Sequence, residues 1–344
     1  MKKKIISILG NRPQFIKAAP LSKELKKRNL NQIIIHTGQH YETMMSNIFF
    51  SELNILKPKY FLNVKSKYHG QMTGKMIEKI EKILLIERPE LVFVFGDTNS
   101  TLAGAIAASK LSIPIAHIEA GLRSFNNQMP EEINRIITDR ISKFLFCPTT
   151  NAVKNLKKEG ILKNVYNVGD LMYEIHLNVR KFYKKIKITE RFENLNSKFI
   201  LLSIHRQEST TCLKKFMQLV KYTHEFAENE NMKIFFPIHP RLNKWKEEIK
   251  KFKNIFILPP LSYFEIQQFI SYSNFVFTDS GGLQKEAYFH KVLCVTLRKE
   301  TEWMETIRNG WNRIWTNKNY HPKRKIDEYG SGKTSKRILN CLNL

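Results

Sequence analysis

The side chains best suited to chemistry in this chain are carboxylates gathered in one stretch, residues 91–135. Asp97 and Glu119 each follow an uninterrupted apolar run (91–95 and 113–118), and Glu131-Glu132 follow the next loop. Carboxylates facing one crevice repel each other unless a proton or a substrate hydroxyl lies between them. That is costly in a scaffold and useful for general acid–base work; the plainer alternative is that each one caps the helix after it. Arg12 and Lys17 follow a Gly10 turn at a helix entrance, where backbone N–H groups and the helix dipole favour anions. They read as a pyrophosphate site or as a solvated helix start. Gln39 and His40 end another β-branched run, in position to touch a ligand or to close a turn. Later in the chain His205, His239 and Arg298 each stand at the end of an apolar run. The segment Asp279-Ser280-Gly281-Gly282 lies between a run and a helical pattern, so successive N–H groups can approach a phosphate closely. Glu286, one turn on, is placed to accept two ribose hydroxyls or to sit on the helix dipole.

The elements that must position these groups follow from periodicity. Continuous apolar runs such as LVFVF (91–95) and FVFT (275–278) suit strands of a parallel sheet covered on both faces. Between them lie helical patterns, for example 72–86, where Met76, Ile80, Ile83 and Leu84 share one side. In an open parallel sheet ligands bind beyond the carboxyl ends of the strands, which is where the polar groups fall. The grammar restarts after a charged, weakly apolar stretch, 179–198, which marks a domain crossing. The expected organisation is α/β: two Rossmann-like domains facing each other across a cleft, 1–175 with the acidic residues and 176–330 with the phosphate nest. A helix over 331–344 closes back. Neither GNRPQF nor DSGGLQ is G-x-G-x-x-G, which disfavours a nicotinamide dehydrogenase.

Bulk properties set outer bounds. A chain of 344 residues suffices for two domains with large cores. No apolar run approaches the ~20 residues of a membrane span, and the run 5–9 is too short for a signal peptide. Cys147, Cys212, Cys294 and Cys341 are scattered without metal-ligand spacing, which suits a reducing cytoplasm. The net charge of +26 admits nucleic-acid binding, but the lysines alternate with glutamates and no recognition motif accompanies them. A basic field would favour an anionic small substrate.

The same residues carry a family likeness over nearly the whole chain, in GNRPQFIK (10–17), TGQH (37–40), GDTNSTLAG (96–104) and HIEAGLRS (117–124). It continues in PEEINR (130–135), HR (205–206), HPR (239–241), TDSGGLQKEA (278–287) and LRKETE (297–302). The chain resembles the non-hydrolysing UDP-N-acetylglucosamine 2-epimerases, whose fold is similar to the twin-Rossmann glycosyltransferases. The resemblance implies a reaction with no added cofactor and no metal: anti elimination of UDP to a 2-acetamidoglucal, then re-addition with the proton on the opposite face of C2. By resemblance Asp97, Glu119, Glu131 and His205 are the catalytic positions. Arg12, Lys17, Gln39, His40, Arg135, His239, Ser280, Gly281, Gly282, Glu286, Arg298 and Glu302 match substrate-binding positions, Gln39 at the site of an activating second UDP-sugar. A homodimer in the cytoplasm, serving polysaccharide synthesis, is the implied setting.

The chain departs from the family pattern where arginine and asparagine are replaced by Gln207 and Ser209, and where arginine is replaced by Trp303. Tryptophan cannot make a guanidinium's bidentate contact, so the sugar's identity is more open than the chemistry. UDP-2,3-diacetamido-2,3-dideoxy-glucuronate is the alternative substrate, and a hydrolysing epimerase that releases UDP and N-acetylmannosamine the alternative reaction. A glycosyltransferase would instead need an acceptor and would leave C2 unchanged. A mere nucleotide or nucleic-acid binder would show no turnover for Asp97→Asn to abolish.

Overall fold

A computed structural model describes residues 3–38, 52–53, 55–66, 68–183, 192, 195, 197–206 and 208–344. Gln39, His40 and Gln207 lie outside the described residues. The chain forms two compact units, one of Met1–Asn178 with Asp327–Leu344, the other of Val179–Ile326.

The first unit is built as β1 (Lys4–Leu9), α1 (Arg12–Lys27), β2 (Asn31–His36), β3 (Tyr60–Phe61), α2 (His69–Glu87), β4 (Leu91–Phe95) and α3 (Asn99–Lys110). It continues as β5 (Ile115–Ile118), α4 (Pro130–Ile141), β6 (Phe144–Cys147), α5 (Thr150–Lys158), β7 (Val165–Asn167) and α6 (Leu171–Tyr183). Its strands pair in parallel in the order β3-β2-β1-β4-β5-β6-β7. The chain starts at β1, works outward through β2 to β3, and returns to place β4 beside β1. β1 and β4 therefore flank the topological switch point, where loops diverge and leave room for a ligand. All five residues of β4 are buried, as a strand covered on both faces requires.

The second unit repeats the logic. It comprises β8 (Phe199–Ser203), α7 (Leu213–Asn229), β9 (Lys233–Pro237), a 3-10 turn (Pro240–Trp245), α8 (Lys246–Lys250), β10 (Ile255–Leu258) and α9 (Tyr263–Tyr272). Then come β11 (Phe275–Thr278), α10 (Gly281–Phe289), β12 (Leu293–Thr296), α11 (Met304–Arg308) and β13 (Asn312–Ile314). The parallel order β10-β9-β8-β11-β12-β13 puts the switch point between β8 and β11. Phe199, Phe235 and Phe269 meet edge-on or tilted in its core, with ring centroids 5.0–6.3 Å apart, the offset geometry aromatic rings prefer.

The last helix, α12 (Thr334–Cys341), belongs to the first unit. The Glu174 carboxylate accepts from Ser335 N at 2.7 Å and Ser335 Oγ at 2.6 Å, so α6 caps the start of α12. The Arg28 guanidinium at the end of α1 meets the Leu344 carbonyl oxygen and Asn340 Oδ1. Ile338 and Leu339 are fully buried.

Candidate active site

In the first unit, polar groups collect at the carboxyl ends of β1, β4 and β5. Gln14 in α1 clamps the switch point: its Oε1 accepts from Gly10 N at 2.6 Å, and its Nε2 donates to Phe95 O at 2.6 Å and Thr98 Oγ1 at 2.9 Å. One buried amide thus ties the loop after β1 to the loop after β4. Thr98, not Asp97, is the N-cap of α3, in a reciprocal capping box with Thr101. Asp97 is thereby released from the helix-cap role that its sequence position allowed.

Glu119 ends β5 with φ +72, a left-handed conformation that a glutamate adopts at a cost of order 1–3 kcal/mol. Its carboxylate is ion-paired with Lys17 Nζ, and both side chains are nine-tenths buried. Gly96 adjoins this pair. With φ +64, its missing Cβ would lie 3.4 Å from both Glu119 Oε2 and Lys17 Nζ, so the Gly96–Asp97 turn passes directly over the pair. Asp97 is paired with Arg135 of α4, whose guanidinium also binds Glu132 Oε2 at 2.7 Å. The repulsion expected among the acids is therefore relieved by cations rather than by a proton or a substrate hydroxyl. Lys17 and Arg135, expected to bind substrate, are the cations that relieve it.

Glu131 and Glu132 lie in the first turn of α4. Glu132 is buried and accepts from Ser124 N at 2.9 Å and Phe125 N at 2.9 Å, which shapes the loop leading into the helix. Glu131 is half-buried beside it. Asn134 of α4 donates to Asp97 O at 2.9 Å. Arg12 is the first residue of α1, whose N-cap is Asn11. His36, just before Thr37-Gly38, accepts Gly38 N–H at Nδ1 over 2.9 Å, and burial pushes its pKa down to about 4. It is thus a neutral turn-former.

In the second unit the groups collect at the carboxyl ends of β8, β9, β11 and β12. Asp279, fully buried after β11, accepts His205 N at 3.1 Å and Arg206 N at 3.0 Å. Its Oδ1 also lies 3.3 Å from His205 Nδ1, so one carboxylate orients both backbone and ring. The ring of His239 stacks beside that of His205 with centroids 6.2 Å apart. Ser280 is the N-cap of α10, and Gly281 and Gly282 are its first two residues. A Cβ on Gly281 would stand 2.4 Å from Glu302 Oε1 and 3.1 Å from Trp303 Nε1. Only glycine lets the helix start come this close to those side chains.

Arg298 and Glu302, both buried, pair at 2.9 Å, and Arg206 approaches Glu302 at 3.7 Å. Glu286 accepts from Gln267 Nε2 at 2.9 Å, and Gln267 in turn meets His290 at 2.9 Å. Trp303 is buried, with Lys285 Nζ 3.7 Å from its ring centroid. A cation–π contact occupies the place where a guanidinium was expected. Ser209 is also buried.

Asp279, Gln14 and Gln267 took no site role in the sequence reading, and Glu132 entered it only as half of the Glu131-Glu132 pair. Asp279 had a signal, since it opens the DSGG segment. Gln14 and Gln267 act largely through partners distant in sequence, whereas Glu132 holds the nearby Ser124, Phe125 and Arg135. Among the described residues no three His, Cys, Asp or Glu side chains converge as a metal site would need.

A sequence model of the family described as UDP-N-acetylglucosamine 2-epimerase matches residues 23–343. A Methanococcus maripaludis protein named UDP-N-acetylglucosamine 2-epimerase homolog is 48% identical, with 98% of this chain and 99% of the relative covered. The UDP-2,3-diacetamido-2,3-dideoxy-D-glucuronate 2-epimerase of Pseudomonas aeruginosa is 46% identical over 90% of this chain and 87% of its own. The crystal structure of the Methanocaldococcus jannaschii UDP-GlcNAc 2-epimerase in complex with UDP-GlcNAc and UDP superposes with a TM-score of 0.92. It is 41% identical, and 99% of each chain is covered.

Proposed function

The chain belongs to the UDP-N-acetylglucosamine 2-epimerase family, and from that premise we propose that it interconverts UDP-N-acetylglucosamine and UDP-N-acetylmannosamine. The observation that carries the reading is the pair of carboxylates, Asp97 and Glu119, at the ends of adjacent strands beside the switch point. One is held in a strained backbone and each is compensated by a cation.

In the forward direction a carboxylate takes the C2 proton while the C1–O bond to UDP breaks. The bonding pair leaves with the diphosphate, and a C1=C2 double bond forms. Re-addition of the UDP oxygen to C1, with a proton delivered to the other face of C2, completes the inversion. Asp97, Glu119 and Glu131 share proton removal, proton return and orientation of the sugar hydroxyls. Negative charge grows on the diphosphate as it leaves. In the second unit the N–H groups of Gly281 and Gly282 at the start of α10, which Ser280 caps, supply positive potential for it together with His205 and Arg298; in the first unit Arg12 is a further proposed substrate-binding group. Glu286, held by Gln267, is aimed at the ribose hydroxyls, and Lys17, Arg135, His239 and Glu302 complete the binding groups.

The Pseudomonas relative supports a second substrate, the diacetamido-glucuronate, at nearly the same identity as the first. Incubation with each sugar nucleotide in deuterated water, read by proton NMR, separates the readings. Deuterium at C2 with a new UDP-N-acetylmannosamine signal supports the proposal. Free N-acetylmannosamine with UDP points to a hydrolase, and turnover of the diacetamido-uronate alone moves the substrate.

The setting we propose is a cytoplasmic homodimer serving polysaccharide synthesis. Four unpaired cysteines are in keeping with a reducing compartment, and no described helix is long and apolar enough to cross a membrane. The exposed stripe Ile133, Ile136 and Ile137 on α4 is an apolar face that a second copy would cover. A second UDP-sugar acting as an activator would show as sigmoidal substrate dependence in steady-state rates.

A further inference from the structure

Behind Asp97 and Glu119 lies a buried ionic chain. His117, the third residue of β5, is fully buried. Its Nε2 stands 2.7 Å from Gly96 O, and its Nδ1 stands 2.6 Å from Asp139 Oδ1 on α4. The other Asp139 oxygen accepts from Gly121 N at 3.1 Å and from Arg123 NH1 at 2.7 Å. Arg123 is closed off by Glu159, with two contacts of 2.7 Å.

The hydrogen-bond inventory decides the charge. A peptide carbonyl can only accept, so the nitrogen facing Gly96 O carries hydrogen. Asp139 receives an amide and a guanidinium on its second oxygen, contacts that favour a carboxylate, so the nitrogen facing its first oxygen carries hydrogen as well. Burial alone would raise the Asp139 carboxyl, but His117 and Arg123 outweigh it and hold it below the usual carboxylate range. The chain His117–Asp139–Arg123–Glu159 then alternates in sign and sums to zero, the arrangement a buried ionic cluster needs. Cys147 at the end of β6 also lies beside it, and burial pushes its thiol upward and leaves it neutral.

We propose that His117 is an imidazolium that acts as a positioning residue, joining the Gly96–Asp97 turn to the Glu119–Gly121 turn through Asp139. One ring nitrogen holds the peptide before Asp97. The counter-ion on the other nitrogen holds Gly121, two residues beyond Glu119. The two carboxylates are thereby kept in a fixed spacing from behind by a cation that touches neither substrate nor reacting atoms. The positioning role rests on the epimerase reading; the charge state rests on geometry alone.

Two measurements on the full chain test it. In nitrogen-15 NMR of histidine-labelled protein at pH 7.5, the ring signal lost in His117→Gln should show hydrogen on both nitrogens. A ring with one bare nitrogen overturns the proposal, whatever the enzyme turns over. In kinetics, His117→Gln and Asp139→Asn should lower kcat about 10- to 100-fold with UDP affinity changed less than about threefold. In His117→Gln the acidic limb of the rate profile should also move to higher pH, because nearby carboxylates lose a stabilising cation. Unchanged kcat and pH profile in folded variants overturns the positioning role. A wild-type chain without epimerase activity would instead sink the functional reading and leave the NMR result standing.

Discussion

Glu119 shows how much local cost one side chain can carry when its surroundings over-determine it. Its φ of +72 is paid for by the backbone N–H of Glu119, which donates to Phe146 O at 3.0 Å, and by the ion pair with Lys17. Asp97, more exposed, is held by Arg135 and by its own carbonyl on Asn134. We expect Asp97→Asn and Glu119→Gln each to cut turnover by about 10²–10⁴-fold, while thermal midpoints move only a few degrees. Deuterium exchange at C2 should fall in parallel with epimerisation; exchange that persists at the wild-type rate would show that neither residue handles the C2 proton. At this scale the sequence was only half legible. Residue types and strand-end positions were readable, but partners were not, because Lys17 and Glu119 stand 102 residues apart and Arg135 and Asp97 38. A Glu131-Glu132 pair likewise carries no sign of which member turns inward, and the buried member is Glu132.

Elements were more legible than residues. Strands buried on both faces are continuous apolar runs, and β4 and β11 occupy the ranges 91–95 and 275–278 that such runs mark. The ends that drifted have local causes. β5 begins at Ile115 rather than 113 because Pro114 has no N–H to give the ladder. α6 went unread: its LMYEIHLNVRKFY mixes apolar, charged and aromatic residues without a clean period, and its start is fixed by Asp170 Oδ1 accepting Met172 N at 2.6 Å. The start of α10 gives the prediction that belongs here. Gly281→Ala would drive a methyl to 2.4 Å from Glu302, which cannot retreat without disturbing its buried pair with Arg298. UDP affinity, measured by titration calorimetry, should drop at least about tenfold, a loss of about 1.4 kcal/mol. Equal affinity in the variant would show that this helix start does not hold the nucleotide.

For the whole molecule, the α/β class was legible from alternating strand and helix patterns, whereas the strand order that makes the switch points and the stabilising ionic hubs were not. Glu87, at the end of α2, gathers Lys59 at 2.5 Å, Tyr60 Oη at 2.6 Å and Lys4 Nζ at 2.9 Å, joining α2 to β1 and β3. Those contacts hold its pKa down to about 2, against 4.5 ordinarily. A depressed carboxyl contributes stability that is complete above its ordinary pKa and is lost as pH falls through the folded value, here of order 2–3 kcal/mol. Glu87→Gln should therefore lower the thermal midpoint at pH 7, and the gap to wild type should close between pH 4.5 and 2. A gap that stays constant with pH would exclude the ionic explanation. The proposed homodimer belongs to this scale too: light scattering should report two copies for the wild type and one for Ile133→Lys with Ile137→Lys.

The return of Asp327–Leu344 to the first unit has a consequence for how the protein is made. On a ribosome, the sheet of the first unit emerges first, yet the seat for Ile338 and Leu339 stays bare until the whole second unit has been synthesised. Through that interval α1 and α6 present an uncovered apolar surface and an unanswered Glu174, whose carboxyl burial pushes upward in the finished fold. The first unit is thus early in translation and late in completion, and chains that terminate before Thr334 would leave the exit tunnel as clients for chaperones rather than as shortened enzymes.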